Sequence, residues 1–232
     1  MRLTRRDLWL TLIPVLLWAT LPSLRVFFIT PYCHLDPARC AISTLNPLDR
    51  IWAASNSTYA DQLSYDSQNL AGALALFFPF FYLGARFLKK SMSLPQAGLA
   101  WGIHLVLLLQ SASLNGSINE LTHIVTHRPR PFIYLDPIHL GDEASRYTSF
   151  YSGHTSFTAV ATVSLYFFLR SQRAGKIWRS ASLLAIPILT IFTAVCRVLA
   201  GRHFVTDVLF GAGAGFLVAF GVMIKHSSDQ SE

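Results

Sequence analysis

Charge is scarce in this sequence. Only 13% of its 232 residues are Asp, Glu, Lys or Arg, about half of the roughly 25% usual in water-soluble domains. A surface written for water is excluded. Cysteine is rare too, 3 in all. No Cys pair has metal-ligand spacing and no carboxylate cluster stands in for one, so neither a metal nor another cofactor is expected. The chain also lacks an internal repeat, a low-complexity tract and an appended soluble segment. It reads as a single membrane-embedded domain over residues 1–232.

What the chain does have is long apolar runs: Leu8–Thr30, Leu70–Leu88, Leu94–Leu114, Phe157–Leu169, Leu183–Leu199 and Phe204–Ile224. A hydrocarbon core about 30 Å thick needs roughly 20 helical residues. Phe157–Leu169 alone is clearly short, and it reaches spanning length when extended back to Ser152. The expectation is an all-α polytopic membrane protein with six transmembrane helices in one bundle. The first run follows "MRLTRR", but it exceeds the about 7–15 residues of a signal-peptide core and no small-residue cleavage site follows it, so it is read as a retained helix.

The cations set the orientation. Arg2, Arg5, Arg6, Arg86, Lys89, Lys90, Arg170, Arg173, Lys176, Arg179 and Lys225 all fall on one side of a six-span chain, which places that side and both termini in the cytoplasm. The net charge of +7 then follows from positive-inside bias and anionic headgroups, without a nucleic-acid partner. The other side receives Pro31–Asn69, His127–Tyr151 and the turn Arg197–His203. Cys33 and Cys40 share the first of these segments; on an oxidising face they fit a local disulfide, the alternative being two free thiols. The Asn56-Ser57-Thr58 sequon matters only on a eukaryotic secretory route.

Polar residues collect at three helix ends, and this topology brings all three to the non-cytoplasmic face: "HIVTHRPRP" (123–131), "YSGH" (151–154) and "CRVLAGRHFVTD" (196–207). Ionisable groups at a membrane point to function by default. His203 and Asp207 are four apart and share a helix face; a carboxylate accepting the ring N–H would leave the other nitrogen free as base or nucleophile. Arg130 and Arg197 suit phosphate oxygens, although each alone reads equally as a snorkelling anchor. Ser152 is a good N-cap, Gly153 permits close backbone approach, and the helix they open presents an anion-binding N-terminus. His154 is placed to protonate a leaving oxygen, or simply to sit at the interface. Taken together, two Arg, two His and a helix N-terminus around an anion fit phosphoryl transfer. In that reading His203 attacks phosphorus, His154 protonates the departing alcohol and then activates water, and Arg130, Arg197 and the Ser152–Gly153 amides hold the equatorial oxygens.

These residues resemble the type 2 phosphatidic acid phosphatase family, relatives of the vanadium haloperoxidases. The family pattern is Lys-x6-Arg-Pro, Pro-Ser-Gly-His and Ser-Arg-x5-His-x3-Asp. The corresponding residues here are His123-x6-Arg130-Pro131, Tyr151-Ser152-Gly153-His154 and Cys196-Arg197-x5-His203-x3-Asp207. The resemblance implies a helical bundle, the nucleophile in the third motif and the acid in the second, hence His203 and His154. It departs at three positions. His123 replaces a permanent cation, with Arg128 as the nearby group to compensate and Glu120 to favour the charged form of His123. Tyr151 replaces Pro, and Cys196 replaces Ser.

Tyr-Ser-Gly-His-Thr is also similar to the second motif of sphingomyelin synthase-like transferases, which pass the group to a lipid alcohol; a silent lipid-binding protein is the third reading. The expected partners are membrane lipids and a lipid phosphate substrate: phosphatidic acid, phosphatidylglycerol phosphate, a polyprenyl pyrophosphate or lipid A phosphate. The compact size suggests a bacterial inner membrane with a periplasmic site.

Overall fold

Six long helices carry the apolar runs in a computed structural model that describes residues 5–228. They are α1 (Arg5–Leu24), α2 (Thr58–Leu88), α3 (Leu94–Thr126), α4 (Gly153–Ser171), α5 (Lys176–Leu199) and α6 (Val205–Ser228). No strand occurs among the described residues. Arg2, and the side chain of Arg6, lie outside them. Five of the helices, all but α4, are long and apolar enough to cross a membrane. Leu183, Ile188, Ile191, Leu209 and Leu217 stand exposed on their outer faces, an apolar surface suited to an integral membrane protein.

α4 differs because of its neighbours. It packs against α2, α3, α5 and α6, whereas α1 lies to one side against α3. A helix enclosed on every side needs no lipid-compatible face. α4 accordingly buries Thr155, Thr158, Thr162 and Ser164 among its apolar residues, which lowers its hydropathy; the three threonine hydroxyls bond within the bundle, whereas Ser164 Oγ is buried without a protein partner. Thr158 Oγ1 and Ser67 Oγ of α2 both meet Thr193 Oγ1 of α5, at 3.3 and 2.8 Å.

The helices alternate in direction. At one end the bundle is tied by Arg25–Glu120 and Asp61–Arg197; at the other it is tied by Lys225–Asp7 and by Arg86 to Gln172. Apolar runs understate three helices. α2 begins at Thr58 behind the N-cap Ser57, so its first turns belong to what hydropathy reads as the loop Pro31–Asn69. α3 continues past Leu114 to Thr126, and α5 starts at Lys176 rather than Leu183. In the first two cases the missed turns are polar, and Ser64, Ser67, Asn115, Asn119, Glu120 and His123 among them are buried at the bundle end.

Two connections cover that end. The first carries the Cys33–Cys40 disulfide and the short helix Pro47–Arg50. It is pinned to the connection before α4 by Tyr147, whose hydroxyl accepts the N–H groups of Tyr32 and Cys33 at 3.0 and 2.8 Å and donates to the Gly141 carbonyl at 2.8 Å. The α5–α6 turn passes beneath this cover at Gly201, with φ +65°. A Cβ there would run into the Ser55 carbonyl oxygen, so only glycine satisfies both the conformation and the space.

Candidate active site

His203 sits in the α5–α6 turn with 3% of its surface exposed. Its Nδ1–H donates to the Ser149 carbonyl at 2.7 Å, while Asp207 Oδ2 is 4.0 Å from the same nitrogen. This corrects the expected direct His203–Asp207 pair: a backbone carbonyl sets the tautomer, and Nε2 is the nitrogen left for chemistry. The reason is that Asp207 is fully engaged elsewhere. It accepts the Ser149 hydroxyl at 2.6 Å, the Phe204 N–H at 2.9 Å and the Arg128 guanidinium. The carboxylate therefore fixes Ser149, and Ser149 fixes His203.

Arg128 joins Asp207 to the cover, reaching Asp49 Oδ2 at 2.6 Å and Thr206 Oγ1 at 2.8 Å. Asp49, from the short helix, also accepts the Thr206 N–H at 3.0 Å, as a carboxylate at a helix N-terminus should. Burial pushes the Asp49 carboxyl up, but hydrogen bonds from Thr206, Arg128 and Asn46 outweigh it and leave it below its ordinary value. Arg128 is thus committed to two carboxylates and is not the group that compensates for His123.

Arg197, at the end of α5, is 2% exposed. Its Nη1 donates to Asp61 Oδ1 at 2.7 Å and to Ser64 Oγ at 3.2 Å, both on the first turns of α2. Arg202 takes the other Asp61 oxygen at 2.8 Å. Arg130 donates one Nη to Thr148 Oγ1 at 3.0 Å. His154, in the first turn of α4, meets the Tyr65 ring edge to face, with centroids 4.5 Å apart.

His123 lies on the last turns of α3, with Nδ1 3.6 Å from Glu120 Oε2, and Glu120 in turn takes Arg25 of α1 at 2.8 Å. The Nε atoms of Arg130 and Arg197, Nε2 of His154 and both ring nitrogens of His123 are buried without a protein hydrogen-bond partner. Burial, and after it the charges of Arg197 and Arg130, hold the His203 imidazole well below its ordinary value, so it rests neutral.

The helix opening needs one more correction. Ser152 is fully buried; its Oγ caps α4 by accepting the Thr155 N–H at 3.4 Å, and its own N–H donates to the Asp207 carbonyl at 3.1 Å. That amide is spent on the α4–α6 contact and is not a free anion donor. A Cβ on Gly153 would stand 3.1 Å from Asn119 Oδ1; Asn119 donates to the Tyr151 carbonyl at 2.6 Å. The missing side chain at Gly153 therefore lets α3 approach the turn. Among the described residues no group of three or more His, Cys, Asp or Glu is arranged to hold a metal ion; guanidinium and imidazole nitrogens are buried at this end of the bundle.

Residues 100–230, more than half of the chain, match the family model described as PAP2 superfamily. The chain belongs to the PAP2 superfamily. The matched residues contain all three motif segments, with the whole of α4, α5 and α6 and most of α3. No individual curated protein and no solved structure matches the sequence. Members of the superfamily are phosphatases, which fits a bundle end built from anion-seeking nitrogens around a neutral histidine.

Several participants lie outside the matched PAP2 residues: Arg25, Asp49, Asp61, Ser64 and Tyr65. For the α2 group a local signal exists, since Ser57 is an N-cap and Asp61 stands in the first turn. Asp49 and Arg25 act through partners distant in sequence, and Ser149 through its main chain, so residue type alone does not mark them.

Proposed function

We propose that this protein is an integral membrane lipid phosphatase that hydrolyses a phosphomonoester or pyrophosphate of a lipid through a phosphohistidine, without a metal. The observation that carries the reading is the pairing of His203, its Nδ1–H on the Ser149 carbonyl, with the buried nitrogens of Arg130, Arg197 and His154 that have no protein hydrogen-bond partner. Nε2 of His203 attacks phosphorus as the P–O bond to the lipid breaks, and His154 gives its proton to the departing oxygen. A water that loses a proton to His154 then attacks phosphorus, the P–N bond breaks, and phosphate leaves. Arg130 and Arg197 match the charge on the equatorial oxygens.

Six crossings with both termini cytoplasmic put this site on the extracytoplasmic face, opposite Arg86, Lys89, Lys90, Arg170, Arg173, Lys176 and Arg179. A disulfide at the site's end of the bundle suits an oxidising compartment, and we infer a periplasmic site in a bacterial inner membrane. α4 also crosses, bringing the spans to six, because its polar face meets protein rather than lipid. Tyr151, the residue shared with the transferases, turns its hydroxyl to the Asn115 carbonyl at 3.2 Å and serves packing, so its presence does not favour a lipid acceptor.

The test is phosphate release by the purified protein across phosphatidic acid, phosphatidylglycerol phosphate, a polyprenyl pyrophosphate and lipid A phosphate, with an acid-labile phosphoryl label on the wild type. Release and label should both vanish in His203→Ala. Release that survives His203→Ala, or transfer to a lipid alcohol that far exceeds release, would overturn the reading.

A further inference from the structure

We propose that Tyr65 is a positioning residue for the proton donor, a role that rests on the phosphatase reading above. Tyr65 is on the second turn of α2, outside all three motifs and outside the matched PAP2 residues. Its ring meets the His154 imidazole at 4.5 Å between centroids with the planes 83° apart, and the Arg197 guanidinium carbon lies 5.8 Å from its centroid. Edge-to-face packing of this kind restricts how the imidazole can turn.

No protein hydrogen bond orients the imidazole otherwise. His154 Nε2 is buried without a partner, unlike the His203 ring, which the Ser149 carbonyl fixes at 2.7 Å. The same stretch of α2 holds Arg197 through Asp61 and Ser64. One face of α2 therefore sets both the phosphate-binding cation and the acid. Tyr65 itself is 45% exposed, so it forms the outer wall of the site beside the place where the lipid's leaving oxygen must lie.

The step that depends on this contact is P–O cleavage. As the bond from His203 Nε2 to phosphorus forms, the electron pair of the ester bond goes to the lipid oxygen, and the His154 Nε2 proton goes to that same oxygen. An alkoxide leaving group needs that proton. A phosphate leaving group does not, because it departs as a stable anion. The incoming phosphoryl dianion supplies the negative charge that favours the protonated form of His154.

Two substrates with the same acyl chains separate these cases: dioleoyl phosphatidic acid, which releases an alcohol, and dioleoylglycerol pyrophosphate labelled on its terminal phosphorus, which releases phosphatidic acid. General-acid catalysis contributes ~10²–10⁴-fold. Tyr65→Leu should lower kcat on phosphatidic acid by at least ~30-fold and change initial turnover of the pyrophosphate by less than ~3-fold, with Tyr65→Phe close to wild type on both. In a His154→Ala background, Tyr65→Leu should have no further effect on phosphatidic acid. The pyrophosphate rate also reports folding of each variant. Equal losses on both lipids, no loss on either, or additivity with His154→Ala would overturn the proposal and leave Tyr65 an interfacial anchor. Phosphate release that is unchanged in His203→Ala would instead overturn the phosphatase reading beneath it.

Discussion

Asp207→Asn separates a carboxylate that acts on His203 directly from one that acts through Ser149. Asp207 is fully buried; one oxygen takes Arg128, the other takes the Ser149 hydroxyl and the Phe204 N–H. Asparagine keeps one acceptor and turns the other oxygen into a donor. Whichever way the amide is turned, its NH2 meets a donor, and a buried donor without an acceptor costs about 1–3 kcal/mol. Arg128 loses one of its two carboxylates but keeps Asp49 at 2.6 Å, so the cost stays below the ~3–5 kcal/mol of a stranded buried charge. The expected loss is ~2–4 kcal/mol of unfolding free energy, with a fall in kcat as Ser149 shifts. Ser149→Ala keeps the carbonyl that holds His203. It removes the same hydroxyl contact as Asp207→Asn, so it should cost ~1.5–3 kcal/mol and lower kcat by a similar amount, within about tenfold in both variants, the rate equivalent of 1.4 kcal/mol. Denaturation of the purified protein in detergent, read beside phosphate release, measures both. Wild-type stability in Asp207→Asn with activity down about 10⁴-fold, the pattern of a directly paired His and Asp, would refute this reasoning.

The pH dependence of stability carries a second test. Burial, Arg197 and Arg130 depress the His203 proton affinity in the folded chain, so below about pH 6.5 the unfolded chain binds a proton that the folded chain refuses. Stability from this group is full above that pH and falls as pH drops, by up to ~1.4 kcal/mol per unit. His203→Gln should flatten the slope between pH 6.5 and 5 in denaturation curves; an unchanged slope would mean that His203 is not held neutral. A third test probes the α4–α6 contact. A Cβ on Gly215 would run into the Ser156 carbonyl oxygen, while nothing lies within 4 Å of one on Gly213. Gly215→Ala should lose ~1–3 kcal/mol and Gly213→Ala should be neutral or gain up to ~1 kcal/mol; equal effects on thermal unfolding would contradict the packing.

Spacing in the sequence carried much of the site and little of its wiring. His203, His154, Arg130 and Arg197 are legible because they stand in motif spacing at the ends of apolar runs, where ionisable groups are costly, and loop charge brings their segments to one end. The His203–Asp207 spacing was also legible, but it suggested a hydrogen bond that Ser149 makes instead. Main-chain carbonyls are the same in every residue, so no pattern of side chains could announce this one. Asp61 and Tyr65 were hidden for another reason. Residues 58–69 are too polar to register as part of a span, although their polarity serves the site rather than a loop. His123 shows the same limit: its sequence neighbour Arg128 is drawn off to Asp49 and Asp207, while Arg25, far away in sequence, supplies the charge beside Glu120.

The behaviour of α4 joins fold and chemistry. It has the weakest claim to be a span by hydropathy, yet it is the helix that α2, α3, α5 and α6 surround. The two facts have one cause. A site that handles phosphate within a bundle end needs polar atoms on the helix that opens toward it, and only a helix shielded from lipid on all sides can carry them at low cost. The hydroxyls of α4 are satisfied largely by its own carbonyls one turn back, as with Thr158 on His154 at 2.9 Å and Thr162 on Thr158 at 2.8 Å, so they ask nothing of the lipid. The first turn is held by Ser152 on Asp207 and by Asn119 at Tyr151, which leaves His154 on a rigid backbone with its ring packed edge to face against Tyr65. Adding apolar bulk to α4 to improve its hydropathy, as in Thr158→Leu, should therefore weaken the protein by displacing Thr193 and Ser67, and it should do so without loosening the hold on His203.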